Sequence, residues 1–233
     1  MPFYDNFFVN EPSFFGNKLA LWESRNVLRK ILPYKKNVLS MLEVGPGRGP
    51  FMRSIQDKDM QYACVDVSLS ALGQLENSNR ICAMVPPLPI VMNSFDIVFA
   101  SNVLEHMLDF RAALIFVEEM TRVVRPGGLV CHRVPNAMAW GMHFWNGDYT
   151  HSFATTPRNV SQLYADVGLK IENIYPVAGS IVGYWANWLS VVGKIIPSSI
   201  TNHGALLDSR FNKMVYSLKT TFLNGFLIIG RKV

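Results

Sequence analysis

Cysteine is scarce in this chain. Cys64, Cys82 and Cys131 are the only three among 233 residues, and no two are in C-x-x-C spacing. Each falls in a run that reads as a buried strand, so a disulfide framework or a thiolate metal site is not expected, and reduced intracellular thiols are. Long apolar runs are missing as well: no stretch reaches the ~18 consecutive apolar residues of a spanning helix. The opening "MPFYDNFFVNEP" lacks the basic start and apolar centre of a secretion signal. A cytosolic chain is expected, with peripheral contact at the inner face of a membrane as a further option. The five histidines show no paired ligand spacing, so the sequence predicts no metal site. No G-x-S-x-G elbow is present, which excludes the usual α/β-hydrolase nucleophile. Internal repeats and low-complexity tracts are absent too.

A surplus of one charge is missing from most of the length. Residues 1–176 carry 16 Lys and Arg against 16 Asp and Glu, while residues 177–233 carry six basic residues and only Asp208. The whole net charge of +5 therefore sits in the tail. A uniformly basic domain would suggest nucleic acid; a local excess suggests one face that meets an anionic partner.

What is present is a glycine loop. "VLSMLEV" reads as a strand, and it runs into "GPGRGPF", where Gly45, Gly47 and Gly49 alternate. Such a turn lets a ligand lie against the main chain at the start of a helix, where unpaired N–H groups favour negative or electron-rich atoms. The dinucleotide fingerprint G-x-G-x-x-G would put its third glycine where Pro50 stands, which argues against a nicotinamide dehydrogenase. Asp66 ends the next strand, "QYACVDV", 21 residues after Gly45, where a carboxylate can accept from both ribose hydroxyls; alone it would more often be a helix cap, and the glycine loop before it reverses that reading.

Strands and helices then alternate. "RICAMV", "SFDIVFAS", "LVCHRVP", "KIENIYPV" and "GFLIIGRKV" read as strands. Helices are expected from about Asn17 to Leu32, from Phe110 to the "RPGG" stop with Phe110, Leu114, Val117, Thr121 and Val124 inward, and from Pro157 with Thr156 as N-cap to Gly168. This alternation implies a doubly wound α/β fold whose ligands bind beyond the carboxyl ends of the strands.

"LEVGPGRG", "VDVS", "LPIVMNSFDIVFASNVLEHM" and "VVRPGGLV", in this order and at these intervals, resemble the class I S-adenosylmethionine-dependent methyltransferases, especially the bacterial type 11 group. The likeness covers about Asn37 to Val134 and extends loosely to Tyr175. It implies a Rossmann-like, mostly parallel seven-stranded sheet with helices on both faces and an antiparallel last strand. It also implies S-adenosyl-L-methionine as cofactor, with Glu43, Gly45, Gly47 and Gly49 around the methionine moiety, Asp66 at the ribose, and Asn102 and Leu104 lining the cleft. Many relatives hold the adenine amino group with an acid where this chain has Met84; Val67 and Met84 could sandwich the ring instead. Four segments follow: a helical lead covering the cleft (1–36), the cofactor-binding core (37–176), a basic, aromatic, helical insertion (177–222) and a last strand (223–233).

Methyl transfer is an in-line displacement, so the protein's share is approach geometry and, for a hydroxyl acceptor, removal of a proton. The loop "VPNAMAWGMHFWNGDYTHSFATTP" overhangs the expected cleft with His143, Asp148, Tyr149 and His151 among aromatic residues. Family members with D-x-T-H followed by T-P in this place are associated with sugars and surface glycans. His151 is the first choice as general base, then His143, with Asp148 in support. The competing reading is that Asp148, Thr150 and His151 only bond to one another and fix a cover; His106 in "LEHM" reads as structural. The implied acceptor is a small polar molecule such as a sugar or glycan precursor, lipid-linked or phosphorylated if the tail steers it. Alternatives are a lipid, quinone or RNA acceptor, though no RNA-binding module is recognisable, or a non-catalytic scaffold. Trp185, Trp188, Leu189 and Val192 at helical spacing near Lys194 read first as a cleft cap or homodimer contact, and the basic tail keeps a membrane interface as the competing reading.

Overall fold

The computed structural model describes residues 14–75, 78–195, 215 and 219–233. The lead at 1–13 and most of the expected insertion beyond residue 195 lie outside the described residues.

The helical lead forms α1, Phe14–Ile31. Then follow β1 (Ser40–Val44), α2 (Pro50–Ile55), β2 (Gln61–Asp66), α3 (Leu69–Gly73), β3 (Asn79–Cys82) and β4 (Phe95–Ser101). The second half comprises α4 (Phe110–Val123), β5 (Val124–Pro135), the short α5 (Ala137–Trp140) and α6 (His143–Gly147), α7 (Pro157–Asp166), β6 (Leu169–Ala178), β7 (Ile181–Val182), α8 (Trp185–Ile195) and β8 (Gly225–Lys232). Among the described residues the sheet has eight strands in the order β3-β2-β1-β4-β5-β8-β6-β7. The neighbours from β3 to β5 run parallel; β8 is antiparallel to both β5 and β6. The expected count of seven is corrected by β7, a two-residue edge strand that pairs antiparallel with β6.

The central strands alternate their side chains between two apolar layers, the period-two pattern of a sheet covered on both faces. Leu42, Val44, Val98, Ala100, Val130, Phe226 and Ile228 pack toward Phe116 and Met120 of α4 and Tyr164 of α7. Met41, Ile97, Phe99, Leu129, Cys131, Leu227 and Ile229 pack toward Val27, Leu28 and Ile31 of α1 and Phe51 and Ile55 of α2. Helix α1 thus belongs to the core of the α/β fold.

Local chemistry explains the boundaries. Helix α7 begins as expected: the Thr156 side chain accepts from the Asn159 amide, Asn159 reaches back to the Thr156 N–H, and Pro157 takes the first turn. Helix α4 is capped by Asp109, which accepts from the Ala112 amide. Its inward face differs from the expected one. Ala113, Phe116, Val117, Met120 and Val123 are buried, whereas Phe110 is 63% exposed. Val117 and Val124 are buried and Leu114 packs against the core as expected, so the stripe was right in part and narrower than the face the core covers. No loop separates α4 from β5; the chain passes straight into a strand through "RPGG". Cys82 is exposed, because β3 is an edge strand; Cys64 and Cys131 are buried.

Candidate active site

The strand order reverses between β1 and β4, the switch point beyond whose carboxyl strand ends sheets of this kind form their ligand crevice. The loop after β1 is the glycine loop. Gly45 has φ +71°, and a Cβ there would stand 2.5 Å from Val103 Cγ2, on the loop after β4. Gly49 has φ +69°, and a Cβ would stand 2.3 Å from Leu75 Cδ2. Glycine is required at both places, since the backbone is left-handed and the neighbours already fill the side-chain space. Asp66, at the end of β2, accepts from the Gly47 amide at 3.4 Å through Oδ2 and from the Ser68 amide at 2.9 Å through Oδ1. Its carboxyl lies above the usual range through burial, partly offset by these N–H donors. Asp66 therefore props the glycine loop open while remaining partly accessible.

Glu43 sits wholly buried in β1, two residues before the loop, and accepts from the Tyr62 hydroxyl. Burial pushes its carboxyl up to about 7; the Tyr62 hydrogen bond pulls it down and the Asp66 charge adds to the rise. Two large apolar side chains stand open next to Asp66: Val67 is 50% and Met84 72% exposed. They follow the adjacent parallel strands β2 and β3, joined there by the Ala83 amide donating to the Asp66 carbonyl. Bare backbone, a carboxylate and two exposed apolar groups on one strand edge fit the amino-acid, ribose and base parts of an adenosyl cofactor.

Asn102, just past β4, takes φ +52° and is exposed. Arg133 Nη1 donates to Asn102 Oδ1 at 2.6 Å, and Arg133 Nη2 pairs with Glu23 at 2.7 Å, which ties α1 to the rim of the crevice. Leu104 is fully buried in the core, so it forms floor beneath the cleft and does not line it. The short 3₁₀ turn Leu104–His106 explains this, since it turns the leucine inward and leaves Glu105 and His106 facing the loop after β5.

That loop brings the remaining candidates together. His106 Nδ1 lies 2.8 Å from Thr150 Oγ1, and the Thr150 hydroxyl donates to Asp148 Oδ1 at 2.6 Å. His151 Nδ1 is 2.6 Å from the Phe144 carbonyl oxygen. The His106 and His151 rings are 4.9 Å apart between centroids. Thus Asp148 and Thr150 do bond, as the cover reading expects, but their line continues to His106 while His151 has its own anchor. Burial, then the nearby His151, lowers His106 to about 4. Burial would raise Asp148, but its hydrogen bonds from Thr150, and then the charge interaction with His106 and His151, hold it below the usual range. His143 lies at the start of α6, buried, and is lowered by burial and then by the charge of Lys219. Glu105 was missed from sequence. It is 1% exposed, and burial pushes it up to about 8 despite the favourable charge of Arg133. The only sequence signal was its adjacency to His106 at the end of β4.

Helix α8 stands at the same strand edge. Asn224, leading into β8, accepts from the Asn136 amide through its carbonyl and donates to Asn187 of α8 at 3.1 Å. Trp185 and Trp188 are 76% and 75% exposed; the side chain of Val192 lies outside the described residues. No helix among the described residues is long and apolar enough to cross a membrane.

Residues 42–132 match the family model described as a methyltransferase domain. Among curated proteins, the chain is 32% identical over 136 residues to an uncharacterized protein of Methanocaldococcus jannaschii, covering 54% of this chain and 56% of that one. It is 34% identical over 110 residues to the demethylmenaquinone methyltransferase of Corynebacterium urealyticum, covering 46% and 45%. The chain thus spans about half the length of the curated relatives it matches. In structure it resembles a chain of the Haloferax volcanii complex between the Trm112 methyltransferase activator and its candidate methyltransferase, with TM-score 0.70, 14% identity and 98% and 97% coverage. It also resembles an Archaeoglobus fulgidus S-adenosylmethionine-dependent methyltransferase, with TM-score 0.60, 16% identity and 89% and 92% coverage.

Proposed function

We propose that this chain, whose residues 42–132 match a methyltransferase-domain model, is an enzyme of the class I type that transfers a methyl group from S-adenosyl-L-methionine to a small polar acceptor. The observation that carries this reading is the glycine loop after β1, held by Asp66 at the end of β2 beside the β1/β4 switch point. When bound, the cofactor supplies an electrophilic methyl group on a positively charged sulfur.

The chain's own residues do the rest. Gly45, Gly47 and Gly49 present backbone to the cofactor's amino-acid part, Asp66 takes its ribose hydroxyls, and Val67 and Met84 flank its base. Asn102, held by Arg133, orders the loop after β4. Such groups act by fixing the approach of acceptor to methyl carbon, where orientation is the main catalytic effect. The acceptor's hydroxyl proton is removed at the histidine cluster, with His151 as the first group. The Phe144 carbonyl can only accept, so it holds the His151 proton on Nδ1 and leaves a lone pair on Nε2. The Asp148–Thr150 pair orients His106 beside it.

The acceptor that suits this loop is a sugar or glycan precursor, since histidine, threonine and carboxylate groups lie there among Trp145 and Tyr149. A second reading, a lipid or quinone-type acceptor reached at a membrane surface, is favoured by the exposed Trp185 and Trp188 and by the likeness to a demethylmenaquinone methyltransferase. Calorimetry with S-adenosylhomocysteine and with NAD tests the cofactor, with binding expected for the first alone. For the transfer step, His151→Ala should lower turnover by about 10²-fold with cofactor affinity nearly intact. Turnover unchanged at saturating cofactor would remove His151 from the chemistry.

A further inference from the structure

Glu105, His106 and His151 each offer a ligand atom, and all these atoms lie within 4.8 Å of one another. Three features make this cluster more than a chance meeting of polar groups. Glu105 Oε2 is buried and has no hydrogen-bond partner among the described residues, although an unsatisfied buried carboxylate oxygen is costly and rare. Both imidazoles are backed from outside. The Thr150 hydroxyl gives its single proton to Asp148, so its oxygen accepts from His106, placing the His106 proton on Nδ1. The Phe144 carbonyl does the same for His151. Each ring then carries its lone pair on Nε2. Finally, the rings are tilted by 58° and do not stack.

A histidine that donates one ring N–H to a carbonyl or a carboxylate relay, while its other nitrogen keeps the lone pair, is the arrangement that orients metal ligands. Two neutral imidazole nitrogens with one carboxylate oxygen suit first-row divalent cations better than Mg²⁺ or Ca²⁺, which take oxygen ligands. We propose that Glu105, His106 and His151 form a three-ligand site for a first-row divalent cation beside the cofactor crevice. Three protein ligands leave coordination positions open, which fits an acceptor bearing oxygen donors. The inference rests on the proposed function for the role of the cation but not for its binding; with a cation bound, His151 Nε2 is a ligand, and the cation takes over from His151 by lowering the pKa of the acceptor hydroxyl. Sequence spacing could not reveal the site, because Glu105 and His106 are adjacent and His151 arrives from a separate loop.

The test is a Co²⁺ titration of chelator-stripped full-length protein, followed by visible d–d absorption, with Mn²⁺ and Zn²⁺ titrated by calorimetry. One equivalent of Co²⁺ is expected to bind with the bands of nitrogen and oxygen coordination. Glu105→Gln and His106→Gln should each weaken it by about 100-fold. Cys82→Ser, at an exposed thiol outside the cluster, should bind as the parent does. Circular dichroism and a melting curve on each variant establish that it is folded, and Glu105→Gln keeps the shape of the site if His106→Gln does not fold. The absence of Co²⁺ binding by the parent, or equal binding by folded Glu105→Gln, overturns the site. S-adenosylhomocysteine binding by the stripped protein is measured separately, so failure of the metal site and failure of the methyltransferase reading give different results.

Discussion

Glu43→Gln offers a direct measure of the charge that the crevice keeps under its glycine loop. The carboxyl is buried and rises from 4.5 to about 7 on folding. A carboxyl whose folded pKa is raised favours the fold fully while it is protonated in both states, below about pH 4.5. It loses that contribution as pH climbs toward 7, where the unfolded chain ionises and the folded one resists. The shift amounts to about 3 kcal/mol at 1.4 kcal/mol per pH unit. Glutamine keeps an oxygen to accept from Tyr62 but brings an NH₂ with no assured acceptor, an offset of about 1–2 kcal/mol. That offset does not vary with pH. The clean observable is therefore the change in stability difference between variant and parent from pH 4 to pH 8, expected to be about 3 kcal/mol in favour of the variant. Urea unfolding at several pH values measures it. A flat difference across this range would refute the claim that Glu43 is held in the fold against its own ionisation. Cofactor affinity should fall in the same variant, which would explain why an uncomfortable carboxylate is tolerated there.

Asp66→Asn should weaken S-adenosylhomocysteine binding by about 10-fold or more, because it removes the charge that accepts from the Gly47 and Ser68 amides; calorimetry reads this directly. Gly49→Ala should cost about 1–2 kcal/mol from the left-handed backbone alone, with a further loss as Leu75 yields, and a melting curve no lower than the parent's would contradict the strained turn. Replacing Trp185 and Trp188 together with alanine should leave melting unchanged, since both side chains are exposed, yet abolish any sedimentation with anionic vesicles at low salt. Parent protein that never sediments with such vesicles would leave α8 without a membrane role.

The alternation of strands and helices was legible because each central strand is an unbroken apolar run and each crossover is punctuated by a cap. Thr156 with Pro157 marked α7 to the residue. The inward face of α4 was legible in part: Val117 and Leu114 pack inward as expected, but Phe110 looks as apolar as Phe116 and Met120, and only the partner layer decides which is covered. The glycine loop and Asp66 carried their own spacing and were found together. The histidine loop gave up its residues but not its geometry: Glu105 was overlooked and the meeting of His106 with Thr150 was not foreseen, because the partners come from a loop more than forty residues away. Contacts between such distant segments leave no periodic trace.

The placement of β8 between β5 and β6 has a temporal side. The chain completes β5 at Pro135 and β6 at Ala178, but the strand that joins them begins only at Gly225. At about 5–20 residues per second, a ribosome needs several seconds to move from one to the other. Throughout that interval the β5 edge, with Val130, Cys131 and Val134 along it, presents unpaired N–H and C=O groups to whatever is near. The nascent half-sheet is thus the stage at which this chain is most open to mispairing and to capture by chaperones. Slowing translation between residues 135 and 225 would lengthen that exposure without altering a single side chain.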